Sequence, residues 1–250
     1  MCSKDKEING IILPPVNLNG FEQMALDVLL LDKQLIYKDY SMAIRFYTWP
    51  GCWISLGKNQ KSIPISCKDL IKNKELKVVR RPSGGKAVLH SRGLTYSMVW
   101  ISAPKTKREA YRLSSQWLIN AFDRLGIHLV FGDSAPNRLE ENCFATSTSS
   151  DLVDNKGNKL IGSAQLWRRG NLLQHGEIIL DPKKKVWEKV FKVSSPSPAP
   201  KAIPREGLSN ILLDEFLSSW PNIKWKNISL RSEDLINIRK QSNIYKVNQV

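Results

Sequence analysis

From Asn19 onward, apolar residues recur at intervals of three and four: Phe21, Met24, Ala25, Val28 and Leu29. That spacing predicts a helix with one apolar face, docked on a sheet. Asn19 is placed to cap it, and Glu22 three residues later completes the signature of a capping box. Over residues 42–49 the period changes to two, with Ile44 and Phe46 on one face and Arg45 and Tyr47 on the other. This is a strand. Pro50-Gly51 ends it, and Trp53 to Gly57 resumes extended structure. Leu76–Arg81, Ala87–His90 and Leu94–Trp100 read as further strands, the last two joined across Ser91-Arg92-Gly93 as a tight hairpin. Lys107 to Leu125 carries Tyr111, Leu118, Ala121, Phe122 and Leu125 on one helical face, and Gly126 marks its C-terminal stop. Leu160–Ala164 and Leu172–Leu180 again have strand character.

The flanks read differently. Residues 1–18 look like a loose lead-in, and Lys183 to Pro200 like a mobile loop or linker, because proline at such density interrupts regular structure. Its Pro/Ser-rich part is 194–204. Leu208 to Trp220 predicts a short helix, and 231–250 a polar helix that frays. No internal repeat is visible. Grouped strands with irregularly interspersed helices imply an α+β fold, a mixed β-sheet flanked by helices. All 250 residues are read as one catalytic domain, with a core at about 20–181 and a short helical tail over 205–250.

Composition narrows the class. No run of 18 apolar residues exists to span a membrane. The polar start, Met1-Cys2-Ser3-Lys4, lacks the apolar core of a signal peptide, so a cytoplasmic location is expected. Cys2, Cys52, Cys67 and Cys143 match no metal-site spacing and, in a reducing compartment, are free thiols. The formal charge of +15 suits an acidic protein partner. No helix-turn-helix, zinc-finger or aromatic RNA-binding signature accompanies it, which makes nucleic acid an unlikely partner.

The segment richest in chemistry is Arg80-Arg81-Pro82-Ser83-Gly84-Gly85-Lys86-Ala87-Val88-Leu89-His90. Glycines let the backbone approach a ligand, and successive N–H groups in such a turn cradle an anion or a polarised carbonyl. The two arginines are expected to face the negative group held there. An ordinary Gly-Gly hairpin turn with solvated arginines has the same composition.

Two further segments stand beside it: Asn142-Cys143-Phe144-Ala145, and Lys159-Leu160-Ile161-Gly162-Ser163-Ala164-Gln165 followed by Gln174-His175-Gly176. Together, and in this order, they resemble the biotin/lipoate protein ligase superfamily, in its lipoate–protein ligase and cysteine-dependent octanoyltransferase branches. Met24-Ala25-Leu26-Asp27, Arg45-Phe46-Tyr47-x-Trp49, Ser55-Leu56-Gly57 and Leu94-Thr95-Tyr96-Ser97 extend the resemblance over roughly 20–181. It implies acyl transfer to a lysine amine on a carrier protein. Carried over residue by residue, it makes Arg81, Ser83, Gly84, Gly85, Lys86 and His90 line the acyl pocket. Gly162, Ser163, Ala164, His175 and Gly176 join them in substrate binding. Lys159 reaches the acyl carbonyl, and Cys143 is the nucleophile that holds the acyl group as a thioester.

The sequence Gly-Gly-Lys-Ala-Val-Leu-His is close to the transferases' form of the turn, whereas ligases carry a third glycine where Lys86 stands. The implied reaction moves octanoyl from acyl carrier protein to a lysine of a lipoyl domain or glycine-cleavage H protein, without a cofactor. The competing reading is an ATP-dependent lipoate–protein ligase, which would need ATP and Mg. A third is a non-catalytic acyl- or nucleic-acid-binding protein. No general base is evident, although His90 and His175 qualify by type. Two departures from the transferase pattern stand out: Thr146 to Ser150 after Cys-Phe-Ala, and Glu177 in place of a small hydroxyl residue after His-Gly.

Overall fold

The computed structural model describes residues 8–104, 106–132 and 151–247. Its elements in chain order are β1 (Ile8–Leu13), α1 (Gly20–Leu31), β2 (Met42–Tyr47), β3 (Trp53–Leu56), α2 (Lys68–Lys72), β4 (Lys77–Arg80), β5 (Val88–His90) and β6 (Leu94–Trp100). They continue with α3 (Lys107–Arg124), β7 (Leu129–Phe131), β8 (Leu152–Asp154), β9 (Lys159–Arg168), β10 (Asn171–Ile178), α4 (Lys184–Phe191), α5 (Leu208–Ser218), β11 (Ile223–Asn227) and α6 (Ser232–Ser242). Single 3₁₀ turns occupy Ile65–Cys67 and Asn243–Tyr245. No described helix is long and apolar enough to cross a membrane.

Eight strands form one mixed sheet in the order β11-β1-β2-β6-β10-β9-β8-β7, and three form a small sheet, β4-β3-β5. The large sheet is parallel at β11-β1-β2 and antiparallel in its other pairings. Both of its faces are covered. Helices α1 and α6 bury Ala43, Tyr47, Val99 and Leu173 on one side. Helices α3 and α5 bury Met42, Ile44, Phe46, Tyr96 and Met98 on the other. This is the α+β fold expected from the alternation in β2, whose two faces each find a helical layer. The Asn19 capping box forms as anticipated: its side chain accepts from the N–H groups of Phe21 and Glu22, and Glu22 accepts from the Asn19 N–H.

Four expectations are corrected. The lead-in is not loose where it is described, because Ile8–Leu13 is a strand inside the large sheet, with Ile11 fully buried. The strands around Ser91-Arg92-Gly93 are not a hairpin: β5 pairs with β3 in the small sheet, and β6 with β2 and β10 in the large one. The stretch 183–200 is not all linker. Residues Lys184–Phe191 are helical, and they bury Trp187 and Val190 against the small sheet. Only the proline-dense part stays irregular, and even there Ala199 is buried and donates its N–H to Leu180. The C-terminal helix does not fray, since Ile238 and Tyr245 enter the core shared with α1. In each case contacts distant in sequence decide the outcome, and a local period does not record them.

The buried and exposed isoleucines of α6 supply a test. Ile238 is fully buried and Ile236 is 63% exposed. Denaturant unfolding of Ile238→Ala will show a loss of about 2–5 kcal/mol. Ile236→Ala will stay within about 0.5 kcal/mol of wild type. Equal effects would mean that the tail is not part of the core.

Candidate active site

The register of the large sheet places the polar site residues in rows. Arg45, Ser97, His175 and Ala164 are successive cross-strand neighbours, and so are Tyr47, Thr95, Glu177 and Gly162. Residues two apart on a strand share a face, so both rows turn toward α1. Against them stands one face of the small sheet, with Ser55 on β3 and His90 on β5, together with the Arg81–Lys86 turn. The cleft between them is a cavity of about 50 Å³ that opens to solvent at its mouth. Its wall is mostly apolar, with contributions from Met24, Trp49 and Val88.

Of the residues expected in the pocket, Arg81, Gly85, His90, Gly162, Ser163, Ala164, His175 and Gly176 line this cleft. Ser83 is buried behind it, hydrogen-bonded to His175. Gly84 and Lys86 contribute carbonyls that accept from Arg81. The Lys86 ammonium is itself buried with no hydrogen-bond partner among the described residues. Lys159 lies at the start of β9, with its ammonium 2.9 Å from the Asp151 carboxylate and both side chains almost fully buried. Cys143 and the rest of its Asn142–Ala145 segment lie outside the described residues, as do Thr146–Ser150. Cys52 and Cys67 are buried thiols of the small-sheet core.

The arginines do not take the role expected of them. The Arg81 guanidinium donates to the carbonyls of Ser55, Gly84 and Lys86, at 2.6–3.1 Å. Arg80 donates to the carbonyls of Gly57 and Gln60. Both use planar multi-donor heads to pin loop backbone. Arg81 still borders the cleft, but its hydrogen bonds hold the turn in shape. That shape also needs glycine. Gly85 sits at φ +90°, and a Cβ on Gly57 would lie 1.9 Å from the Gly85 carbonyl oxygen. The two glycines allow the turn to seat against β3.

Two histidines are held in matching polar chains. His175 Nδ1 lies 2.9 Å from Asp27 Oδ2, and its Nε2 lies 2.5 Å from Ser83 Oγ. His90 Nδ1 lies 2.9 Å from Glu177 Oε2, and its Nε2 lies 2.8 Å from Ser55 Oγ. A carboxylate only accepts, so each Nδ1 carries a proton and donates it. A hydroxyl both donates and accepts, so each Nε2 can gain or lose a proton without the ring moving. Glu177, noted above as a departure, therefore turns inward as the partner of His90, and Thr95 donates to the same oxygen. Trp49 stacks on the His90 ring at 4.0 Å and donates its indole N–H to Thr95.

The Asp27 chain has a further member. Arg45 donates from Nε and Nη2 to Asp27 Oδ1, at 3.0 and 2.7 Å, and also holds Gln23. Burial alone would raise the Asp27 carboxyl, but Arg45, His175 and Ser97 reverse this and hold it below the ordinary carboxylate range. Burial, followed by the Asp27 charge, pushes the neighbouring Tyr47 phenol well up, so it stays protonated in the cleft. Sequence reading missed Asp27, Ser55, Thr95 and Glu177 as site residues. The signal was present, since polar residues at in-facing strand positions and on the apolar face of α1 have to be satisfied by one another.

Residues 19–220 match the model of the lipoyl protein ligase A/B catalytic domain. The chain belongs to that family. Among curated proteins it is 36% identical over 189 residues to Octanoyltransferase LipM of Lysinibacillus sphaericus, covering 69% of this chain and 66% of that one. It is 37% identical over 183 residues to Octanoyltransferase LipM of Geobacillus kaustophilus, covering 68% and 64%. The chain thus spans just under two thirds of the length of these relatives. Among solved structures, a lipoate protein ligase of T. acidophilum with bound lipoic acid superposes with a TM-score of 0.77 at 18% identity, over 95% of both chains. Lipoate-protein ligase A bound with ATP gives 0.75 at 20% identity, again over 95% of both. At these identities the likeness is one of fold, and it matches the mixed sheet described above.

Asp27→Asn leaves the Arg45 charge buried without its counter-ion. It should cost about 3–5 kcal/mol in denaturant unfolding at neutral pH. The acid limb should change as well. A carboxyl whose folded pKa is depressed stabilises fully above its unfolded pKa of 3.8, and that stability is lost as pH falls through the folded value. The wild type will therefore lose stability more steeply than Asp27→Asn below about pH 4. Parallel acid limbs would show that Asp27 is not the carboxylate held low.

Proposed function

We propose that this chain is an octanoyltransferase that moves an octanoyl group from acyl carrier protein to a lysine of a lipoyl-domain or glycine-cleavage H protein. Cys143 carries the acyl group between them as a thioester. The observation that carries the reading is the narrow, mostly apolar cleft walled by Gly162–Ala164 and floored by the Gly85 turn. It suits an unbranched acyl chain, and it occurs in a family member whose curated relatives bear the name octanoyltransferase.

In the first half-reaction the Cys143 thiolate attacks the donor thioester and expels the donor thiolate. The two acyl species are close in energy, so no external driving force is required. An unperturbed thiol of pKa ~8.5 is only a few per cent ionised at neutral pH, and a nearby cation raises that fraction. Lys159 is assigned to this task and to the charge that develops on the carbonyl oxygen. In the second half-reaction the target lysine, with an exposed pKa of ~10.4, must lose a proton to attack the Cys143 thioester carbonyl, forming the amide as the C–S bond breaks and the Cys143 thiolate leaves. His175 borders the cleft with both ring nitrogens bonded, Nδ1 to Asp27 and Nε2 to Ser83, so it takes up that proton through Ser83 Oγ, which hands its own hydrogen to Nε2 as it receives the new one.

The decisive experiment incubates the protein with octanoyl-acyl carrier protein, without ATP, and reads the adduct by intact and peptide mass spectrometry. An octanoyl mass on the Cys143 peptide is expected, and Cys143→Ala will not acquire it. Lys159→Met will form the adduct about 10²–10³-fold more slowly. Acylation that appears only when ATP and Mg are supplied with a free acid would replace this reading with the ligase. For His175→Ala, single-turnover transfer from the preloaded enzyme to the acceptor will slow more than loading does. Equal slowing would make His175 only a structural residue.

A further inference from the structure

The positive charge of this chain is not spread evenly. The segments 57–77 and 183–192 contain eleven lysines and only Asp69, Glu75 and Glu188 as acids. Those 31 residues hold +8 of the net +15 (11 − 3 = 8). The parts of them between residues 65–72 and 184–191 form one layer, whereas Lys77 lies over Trp53. The 3₁₀ turn at Ile65–Cys67, α2 and α4 pack together on the small sheet through Cys67, Leu70, Trp187 and Val190. Ser66 Oγ ties the turn to α4 by donating to the Val190 carbonyl. Ten of the eleven lysines are exposed, and Lys184 alone among them has an ion pair in the described residues, a 4.0 Å contact to Glu188. Within this field Ile65 is 82% exposed, more than any other large apolar residue among those described. An exposed apolar side chain on a layer this rich in lysine has the form of an interface anchor with a charged rim.

The layer touches the cleft. Lys58 donates its N–H to the Ser83 carbonyl, and Arg80 holds the Gly57 and Gln60 carbonyls. The loop that opens the basic segment is thus bonded to the turn that floors the acyl site. From there the charge runs outward over α2 and α4.

We propose that this surface docks the acyl donor, an acidic carrier protein that presents its acyl chain as a thioester on a long, phosphate-bearing arm. The inference rests on the transfer reading above and adds to it where the donor binds. The extent of the field selects the donor over the acceptor. An acceptor lysine reaches no further than its own side chain and must seat at the cleft mouth. A thioester on an arm allows its carrier to bind across a broad surface beside the cleft, and the arm's phosphate adds to the negative charge that the lysines attract.

The test compares wild type with Lys68→Glu/Lys72→Glu/Lys189→Glu and with Ile65→Ser, all at exposed positions outside the cleft. Fluorescence anisotropy of labelled carrier protein bearing octanoyl as a non-transferable amide reads binding without turnover. Single-turnover loading is then measured with octanoyl-carrier protein and with a small octanoyl thioester that has no carrier. The charge-reversed variant is expected to bind the carrier 10–100-fold more weakly and to lose loading from it through KM. Its loading from the small thioester will stay within twofold, and added salt will weaken the wild type's binding more than the variant's. Unchanged carrier binding, or equal losses with both donors, overturns the proposal. So does a defect confined to transfer from preloaded enzyme onto the lipoyl acceptor, which would assign the surface to that partner. Tight salt-sensitive DNA binding that the variant loses while carrier binding is kept assigns it to nucleic acid. Wild type that binds the carrier but acquires no adduct refutes the transfer reading and leaves the docking surface standing.

Discussion

A buried carboxylate joins the two halves of this molecule. Asp27, on α1, is fully buried and receives Arg45 from β2 on one oxygen and His175 from β10 on the other. His175 passes the connection to Ser83, in the turn that leads out of the small sheet. One side chain therefore fixes the helix, two strands of the large sheet and the floor of the cleft in relation to each other. Burying an ion pair is not a cheap route to stability, because desolvation offsets most of the attraction. What it supplies is specificity of position, since a charge in the interior tolerates few arrangements of its partners. In this fold that constraint falls on the wall of the cleft, where a displaced imidazole would change both the cavity and its chemistry.

The second chain, Glu177–His90–Ser55, shows the same pattern of satisfaction without an arginine. Thr95 and the Nδ1–H of His90 serve the carboxylate, and Trp49 covers the ring. The two chains lie on rows that are two residues apart on β10, at His175 and Glu177. The strand period of two is what lets one strand present both to the same side. Gly176, between them, points to the other face, where Tyr96 and Ser163 leave no space for a Cβ. The sequence Gln-His-Gly-Glu thus encodes in four letters a row of alternating functional and packing constraints.

Much of the core was legible from periodicity. The helical stripe of α1, the alternation of β2 and the long helix α3 each bury the faces their patterns named. The motifs of the pocket also announced themselves, because glycines beside polar residues in extended segments are uncommon unless backbone and ligand must approach. The partnerships were not legible. Nothing local connects Asp27 to His175, 148 residues later, or Ser55 to His90, because those bonds arise from sheet order. Short edge elements were hidden for a related reason. β1 and β11 pair across more than two hundred residues, and β7 and β8 hold three residues each, too few to show a period. Arg80 and Arg81 mislead in an instructive way: adjacent cations beside a Gly-Gly turn read as ligand binders, yet backbone carbonyls are the nearer acceptors, those of Gly57 and Gln60 for Arg80 and those of the turn for Arg81.

Lys159 carries the same lesson into the chemistry. Its ammonium has a counter-ion in Asp151 at 2.9 Å, so it is not an isolated charge waiting for an acyl carbonyl. Opposite charges so close offset much of each other's field, so the pair acts on its surroundings more as a dipole than as a point charge. A dipole acts by its orientation, and here that orientation is fixed because both side chains are almost fully buried. On the transfer reading, Asp151 is therefore a positioning residue: it sets where the Lys159 ammonium sits, and the acyl carbonyl has to come to that place.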